Sequence, residues 1–247
     1  MKNLKLHIGC SSFYNANWKP EFYPEGLAKS KWFDFYSQHF STYEMNGTFY
    51  KAPTLKVMQN WYAKCQEGYI YAVKAPKTIT HLKKFKECEE EINTFYQVCK
   101  EGLKEKLGPL LFQLPPSFHY SEENLELIVK NLNSEFKNVI EFRHESWWKI
   151  EVFDVLKEYK ITFCNVSHPT LPDSITKTSE IGYFRFHGSP KMFYSSYSDE
   201  YLNKIYEEIK ANSFEEFYIF FNNTASAAGI LNALEMKNIA TKNKIYE

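Results

Sequence analysis

The chain contains only two arginines, Arg143 and Arg185, and each lies in a short apolar run close to a histidine. A guanidinium group is a planar, permanently charged fork that binds carboxylate or phosphate through paired hydrogen bonds, whereas lysine suffices where a surface needs only positive charge. His144 directly follows Arg143, and His187 lies two residues after Arg185. This pattern predicts anion-binding groups with neighbouring imidazoles, placed where a sequence normally has core residues.

Eight strand-sized apolar runs alternate with amphipathic segments of helical length. The predicted strands span residues 4–11, 42–49, 69–75, 109–114, 139–143, 161–166, 182–187 and 217–222, and the predicted helices lie near 29–39, 54–66, 88–106, 121–133, 148–159, 198–211 and 224–235. Residues 167–181 contain two prolines and predict a loop in place of a full helix. The pattern predicts an α/β fold: a single (β/α)8 TIM-type barrel with parallel strands, forming one domain over residues 1–247.

Polar residues recur at the ends of the predicted strands, where a barrel of this type builds its site. Side chains alternate between the two faces of a strand, so Glu141 is predicted to share a face with Arg143, and Arg185 with His187. Glu44, Asn46 and Thr48 are predicted to share a face in the same way. The apolar residues between them suit the face that packs against helices: Met45, Phe142, Phe184 and Phe186.

The predicted cluster carries more charge than a core built for stability needs, because each buried charge costs several kcal/mol unless it is paired. We predict four catalytic residues: Glu44, Glu141, His187 and Lys74. The predicted substrate-binding residues are Arg143, Arg185, Asn46, Gln113, His144, Asn222, Trp18, Trp147 and Tyr194. Glu141 or Glu44 would act as general base and His187 as the acid or its partner, while the arginines hold an anion.

Each assignment has an alternative. Any acid–arginine pair could instead be a structural ion pair. Lys74 could bind an anion, neutralise the charge of the glutamates or act as a Schiff-base nucleophile. Trp18, Trp147 and Tyr194 fall in predicted loops on the site face, where they would either pack against one another or form walls for a ring-bearing ligand.

Composition limits the class of protein. Thirty basic and thirty acidic residues cancel, so the whole chain has no net charge to attract nucleic acid or a membrane. The N-terminus lacks a signal-peptide pattern, and no apolar stretch approaches the roughly 18 residues of a membrane span. The five cysteines include no CxxC pair, which argues against a zinc knuckle or a disulfide framework. We therefore predict a cytoplasmic protein without a membrane partner.

A metal site is the weaker alternative to a site without any cofactor. Glu44, Glu141, His144 and His187 are suitable ligand types, but they follow no recognised metal-binding spacing. Two arginines and a lysine in the same cluster would oppose a bound cation. We therefore predict no cofactor.

Seven segments, taken in order, resemble the YecE-like family (domain of unknown function 72) along nearly the whole chain. They are IGCSSFYNANWKPEFYPEGL, STYEMNGTFYKAP, YAVKAPKTITH, LGPLLFQLPPSF, EFRHESWW, FRFHG and FFNN. The resemblance implies a TIM-type barrel in which the family's motif positions are Glu44, Asn46, Lys74, His81, Gln113, Glu141, Arg143, His144, Arg185, His187 and Asn222. Cys10–Phe13 departs from the Thr-Ser-Gly-Trp-like run of many relatives. The family has no established activity, and its barrel is distantly similar to the xylose-isomerase and endonuclease IV type, an analogy of fold alone.

Three functions remain open. The leading prediction is an enzyme, of hydrolase, lyase or isomerase type, acting on a small phosphate- or carboxylate-bearing substrate at the barrel mouth. A phosphodiester-directed or nucleic-acid-binding protein is less favoured, because the net charge is zero. A non-catalytic ligand-binding protein is the third. The sequence does not indicate the substrate, the reaction or the oligomeric state.

Overall fold

Eight parallel strands form one nearly closed sheet with helices between them, the (β/α)8 TIM-type barrel that the sequence predicts. We analysed a computed structural model, which describes residues 4–245. The strands are β1 (Lys5–Cys10), β2 (Thr42–Met45), β3 (Ile70–Lys74), β4 (Leu107–Gln113), β5 (Asn138–Glu141), β6 (Thr162–Ser167), β7 (Ile181–Phe186) and β8 (Glu216–Phe221). Their order in the sheet is β1-β8-β7-β6-β5-β4-β3-β2. The predicted single domain stays a prediction, and its limits at residues 1 and 247 lie outside the described residues.

Eight α-helices occupy the described residues: α1 (Trp32–His39), α2 (Gly47–Tyr50), α3 (Leu55–Lys64), α4 (Glu89–Leu103), α5 (Glu122–Asn131), α6 (Ile150–Glu158), α7 (Asp199–Ala211) and α8 (Ala228–Ile245). Side-chain oxygens cap three of them: Thr54 accepts from the Val57 amide, Ser121 from Asn124 and Ser198 from Tyr201. Such caps satisfy amides that the first helical turn leaves without partners. Residues 168–180 contain no helix, so the helix-free crossover is confirmed.

The second predicted strand extends too far. β2 ends at Met45, and the residues that follow turn into α2. Asn46 adopts right-handed helical angles, and the Thr48 hydroxyl bonds back to the Met45 carbonyl oxygen at 2.9 Å. A short hydroxyl side chain thus competes with strand pairing for the backbone. The predicted strand over residues 46–49 is therefore wrong, and alternation along a strand cannot decide where Asn46 and Thr48 point.

The fifth predicted strand is also too long, because β5 ends at Glu141, two residues before Arg143. The apolar side of this segment is as expected. Phe142 stacks on Trp147 with ring centroids 4.0 Å apart, and Phe163 packs against Phe153 of α6 at 5.0 Å. Phe142 thus lies in an apolar cluster with Trp147 and Phe163, and its helix-facing assignment stays a prediction.

Residue contacts divide the chain into two compact units. The first takes Asn165–Ile175 and the described parts of Met1–Tyr43 and Glu180–Glu247; the second takes Glu44–Cys164 and Thr176–Ser179. In the first unit, β8 pairs with both β1 and β7, and Phe186 stacks on Phe221 at 4.5 Å. In the second unit, β3, β4, β5 and β6 pair in sequence order.

None of the helices within residues 4–245 combines the length and the apolar character that crossing a bilayer requires.

Candidate functional site

Four polar side chains of the second unit stand at the carboxyl ends of successive strands. Glu44 is the penultimate residue of β2, and Lys74, Gln113 and Glu141 end β3, β4 and β5. Both glutamates are fully buried, while Lys74 and Gln113 are 9% and 8% exposed. Because parallel strands end on the same side of a sheet, these groups share the edge at which barrel sites form.

The Lys74 ammonium group is fixed by an amide and a ring. Gln113 donates from Nε2 to the Leu114 carbonyl oxygen at 2.8 Å, which turns its Oε1 toward Lys74 Nζ, also at 2.8 Å. Phe49, from α2, lies beneath the ammonium with its ring centroid 4.2 Å from Nζ. The amide oxygen and the ring face together restrict the motion of the amine.

The Glu141 carboxylate is bound on both oxygens. Arg143 donates from Nε to Oε1, and the Cys164 thiol lies 3.9 Å from Oε2, within reach for a weak S–H donor. The Arg143 side chain remains 10% exposed, whereas that of Glu141 has no exposure. Glu141 and Arg143 are therefore together, as predicted, although Arg143 reaches the carboxylate from beyond the strand end.

The side chains of Glu44 and Asn46 are also in contact. Asn46 donates from Nδ2 to Glu44 Oε1 at 3.1 Å. The Thr48 hydroxyl bonds the Lys74 carbonyl oxygen at 2.6 Å, which ties the start of α2 to the end of β3. The predicted association of Asn46 with Glu44 thus arises from the turn into α2 and not from strand alternation.

His144 lies in the loop after β5, where it begins a 3-10 turn over Glu145–Trp147. Its Nδ1 accepts from the Ser146 amide at 3.2 Å, and its ring stacks on His119 with centroids 3.9 Å apart. His144 is half-buried in this loop. A role in substrate binding stays a prediction.

The first unit holds the polar end of β7. Arg185 is 1% exposed and His187 is fully buried. Asn222 donates from Nδ2 to His187 Nδ1 at 2.9 Å, so a neutral His187 carries its proton on Nε2. His168 packs edge-on against the same imidazole at 5.9 Å. That Arg143 and Arg185 act on one anion stays a prediction.

The predicted aromatic walls divide into buried and exposed groups. Trp18 and Trp147 have no exposed surface, and their indole N–H groups donate to the carbonyl oxygens of Ser226 and Phe118 at 3.0 and 2.7 Å. Their enclosure supports the packing alternative and not ligand binding. Tyr194 is 53% exposed and keeps a surface for a ligand.

Two further residues belong with the cluster of the second unit. The Cys164 thiol contacts the Glu141 carboxylate. The sequence pattern could have indicated this position, because Phe163 packs against α6 and alternation along β6 turns the next side chain to the opposite face. His81 packs edge-on against Phe49 at 4.8 Å. It lies in the π-helical turn Thr78–Leu82, which has no periodic sequence pattern, so only the family resemblance indicated it.

The electrostatics around His81 are unusual. Burial, together with the positive charges of Lys74 and Arg143, lowers the pKa of His81 to about 4. The imidazole is therefore neutral at physiological pH. Within residues 4–245, no three His, Cys, Asp or Glu side chains lie close enough together to hold a metal ion.

Comparisons with known proteins agree with this architecture. A DUF72 family protein of Thermotoga maritima MSB8 superposes with a TM-score of 0.86 at 28% identity, covering 96% of this chain and 99% of that one. A DUF72 family protein of Enterococcus faecalis V583 gives a TM-score of 0.80 at 20% identity over 97% and 96% of the two chains, a likeness of fold.

At the sequence level, the UPF0759 protein YunF of Bacillus subtilis (strain 168) is 29% identical over 133 residues, 51% of this chain. The match spans about half the length of that relative, 47%. The family model described as "Protein of unknown function DUF72" matches residues 7–245. Since that match covers nearly the whole chain and confirms the resemblance drawn from the motifs, the protein belongs to the DUF72 family.

Proposed function

We propose that the protein is an enzyme that acts on a small substrate bearing a phosphate or carboxylate group. The observation that supports this most strongly is the fully buried Glu141, bound by Arg143 at the end of β5. Lys74 ends β3, and Glu44 is the penultimate residue of the neighbouring strand β2. Desolvating this many charges costs several kcal/mol each, and apolar residues of similar volume are often as good or better for stability. A role in binding and catalysis explains why the sequence retains them.

The proposed roles follow from the chemistry of each group. Arg143 presents a planar guanidinium fork, and it binds the anion together with the Lys74 ammonium. Glu141 or Glu44 is the general base. Arg185 and His187 retain the predicted roles of anion binding and proton donation. Arg143 and Lys74 would stabilise the negative charge that develops as the substrate reacts.

A screen of sugar phosphates and organic acids for turnover tests this proposal. Glu141→Gln removes the base with little change in shape, and Arg143→Lys keeps the charge but removes the fork. We expect both to reduce turnover by at least about a hundredfold, the scale of a lost general base or oxyanion donor. Lys77→Met is the matched control, since Lys77 is exposed just after β3. Unchanged turnover in both site variants would show that the roles are wrongly assigned.

Exposed aromatic residues beside lysines favour a second candidate, binding of single-stranded nucleic acid. Tyr14 is 59% exposed with Lys29 Nζ 5.9 Å from its ring centroid, and Tyr194 is 53% exposed with Lys191 Nζ at 4.6 Å. Rings that stack on bases and cations that contact phosphates are the usual elements of such surfaces. Affinity for an oligonucleotide should then fall steeply with salt concentration. Absence of binding, or a flat salt response, excludes this candidate.

A further inference from the structure

His81 occupies a fixed position beside the Lys74 site. The turn Thr78–Leu82 follows β3 directly, and π-helical turns of this kind are frequent at functional sites. The His81 and Phe49 rings pack at an interplanar angle of 81°, and Lys74 Nζ lies over the same Phe49 ring. The imidazole and the ammonium therefore share one aromatic support.

The hydrogen bond between Thr80 and His81 determines the tautomer of the imidazole. Thr80 is fully buried, and its hydroxyl oxygen lies 2.9 Å from His81 Nδ1. Within residues 4–245 that hydroxyl makes no other hydrogen bond. A buried hydroxyl must donate its proton to an acceptor, and here the acceptor is Nδ1. Nδ1 is then unprotonated, so the neutral ring carries its hydrogen on Nε2.

The surroundings keep the ring neutral. After burial, the positive charges of Lys74 and Arg143 disfavour a charged imidazole most strongly. The Glu141 carboxylate opposes them, and Lys84 adds a smaller unfavourable contribution. The ring is half-buried, and its Nε2 forms no hydrogen bond within the described part of the chain. A neutral donor thus lies next to cations that attract anions.

We propose that His81 is a substrate-binding residue that donates a hydrogen bond from Nε2 of a neutral imidazole to an oxygen of the ligand. This inference rests on the proposed function and names the recognised group as a phosphoryl or carboxyl oxygen. His81 is then a hydrogen-bond donor and not a general base. A neutral donor aimed at such an oxygen binds it and stabilises negative charge that grows there during reaction.

Nitrogen-15 NMR of the histidine side chains tests the tautomer without any need for turnover. We expect the His81 signals of unprotonated Nδ1 and protonated Nε2 at pH 7, with a titration midpoint near pH 4. Thr80→Val removes the hydroxyl with little change in shape and should weaken the preference for this tautomer, whereas Thr80→Ser should retain it. A proton on Nδ1, or a charged ring at pH 7, overturns the proposal.

Inorganic phosphate is the probe for the binding role. Phosphate should shift the Nε2–H signal, and His81→Phe, which keeps a ring against Phe49, should weaken phosphate binding by about tenfold or more. Thr80→Ser should bind phosphate as the wild type does. If the wild-type protein binds no phosphate, both the proposed function and the ligand-binding role of His81 are refuted for phosphate. If phosphate binds and His81→Phe binds it equally well, only the role of His81 is wrong.

Discussion

Replacing Arg143 by Met separates the structural and functional roles of its pair with Glu141. The Glu141 carboxylate has no exposed surface, and the Arg143 side chain is 10% exposed. Removing the guanidinium leaves the buried Glu141 carboxylate without the positive charge of Arg143, which lies in the loop after β5. Breaking a buried pair in this way costs about 3–5 kcal/mol. For a chain of this size each kcal/mol lowers Tm by about 2–4 °C, so we expect a loss on the order of 10 °C.

The double variant Arg143→Met/Glu141→Leu supplies the comparison. With both charges replaced by apolar groups of similar volume, most of the lost stability should return, because such replacements are often neutral or favourable. Denaturant unfolding at pH 7 measures the free energy of unfolding for wild type, the single variant and the double variant. Lys149→Met is the surface control, because its ion pair with Glu151 is exposed and 3.4 Å long, and it should leave Tm unchanged.

The double variant should fold and yet fail to bind phosphate, because it lacks the guanidinium group. That result would show that the pair is retained for function and not for stability. A single variant as stable as wild type would show that the carboxylate does not depend on Arg143. A double variant less stable than the single one would show that the pair stabilises the fold, and the main support for the proposed function would be lost.

Three further predictions concern other parts of the chain. Gly102→Ala places a Cβ 2.2 Å from Met58 Cβ, so α3 and α4 must separate, and unfolding should cost about 1–3 kcal/mol less than in wild type; an unchanged free energy would contradict this packing. Cys65, the one cysteine that is not buried, should be alkylated first, while burial raises the pKa of the Cys88 thiol to about 11; rapid modification of Cys88 in peptide mass spectra would contradict this. Tyr50 is 75% exposed, and its ring centroid lies 5.1 Å from that of Phe49, the ring beneath the Lys74 ammonium, so a ring-bearing ligand at this site would contact it; Tyr50→Ala should weaken binding of phenyl phosphate more than of phosphate in calorimetry, and equal losses would refute that contact.

The eight-stranded barrel and its polar strand ends could be predicted because both follow from the alternation of strand-sized and helix-sized runs. Buried strands form continuous apolar runs, so a charged residue at the end of such a run is conspicuous, as with Lys74 and Glu141. The apolar surroundings of Phe142 also followed from this pattern. Cys164 followed the same rule, but a thiol does not stand out in an apolar strand.

The turns and loops around the site could not be predicted, because local hydrogen bonds and loop packing determine them. The hydroxyl of Thr48 turns the chain out of β2, and no alternating pattern records that bond. His81 lies in a turn without periodicity, so its proximity to Phe49 depends on the fold. The exposure of Trp18 and Trp147 could not be judged from sequence, because a loop tryptophan packs or binds depending on the loops around it.

Titration calorimetry with inorganic phosphate tests the central claim, that Arg143 and Lys74 bind an anion at the ends of β3 and β5. We expect binding to wild type and to the exposed-lysine control Lys77→Met, with losses of about tenfold or more in Arg143→Lys and Lys74→Met. Equal affinity in all four proteins, or an equal loss in the control, would contradict it.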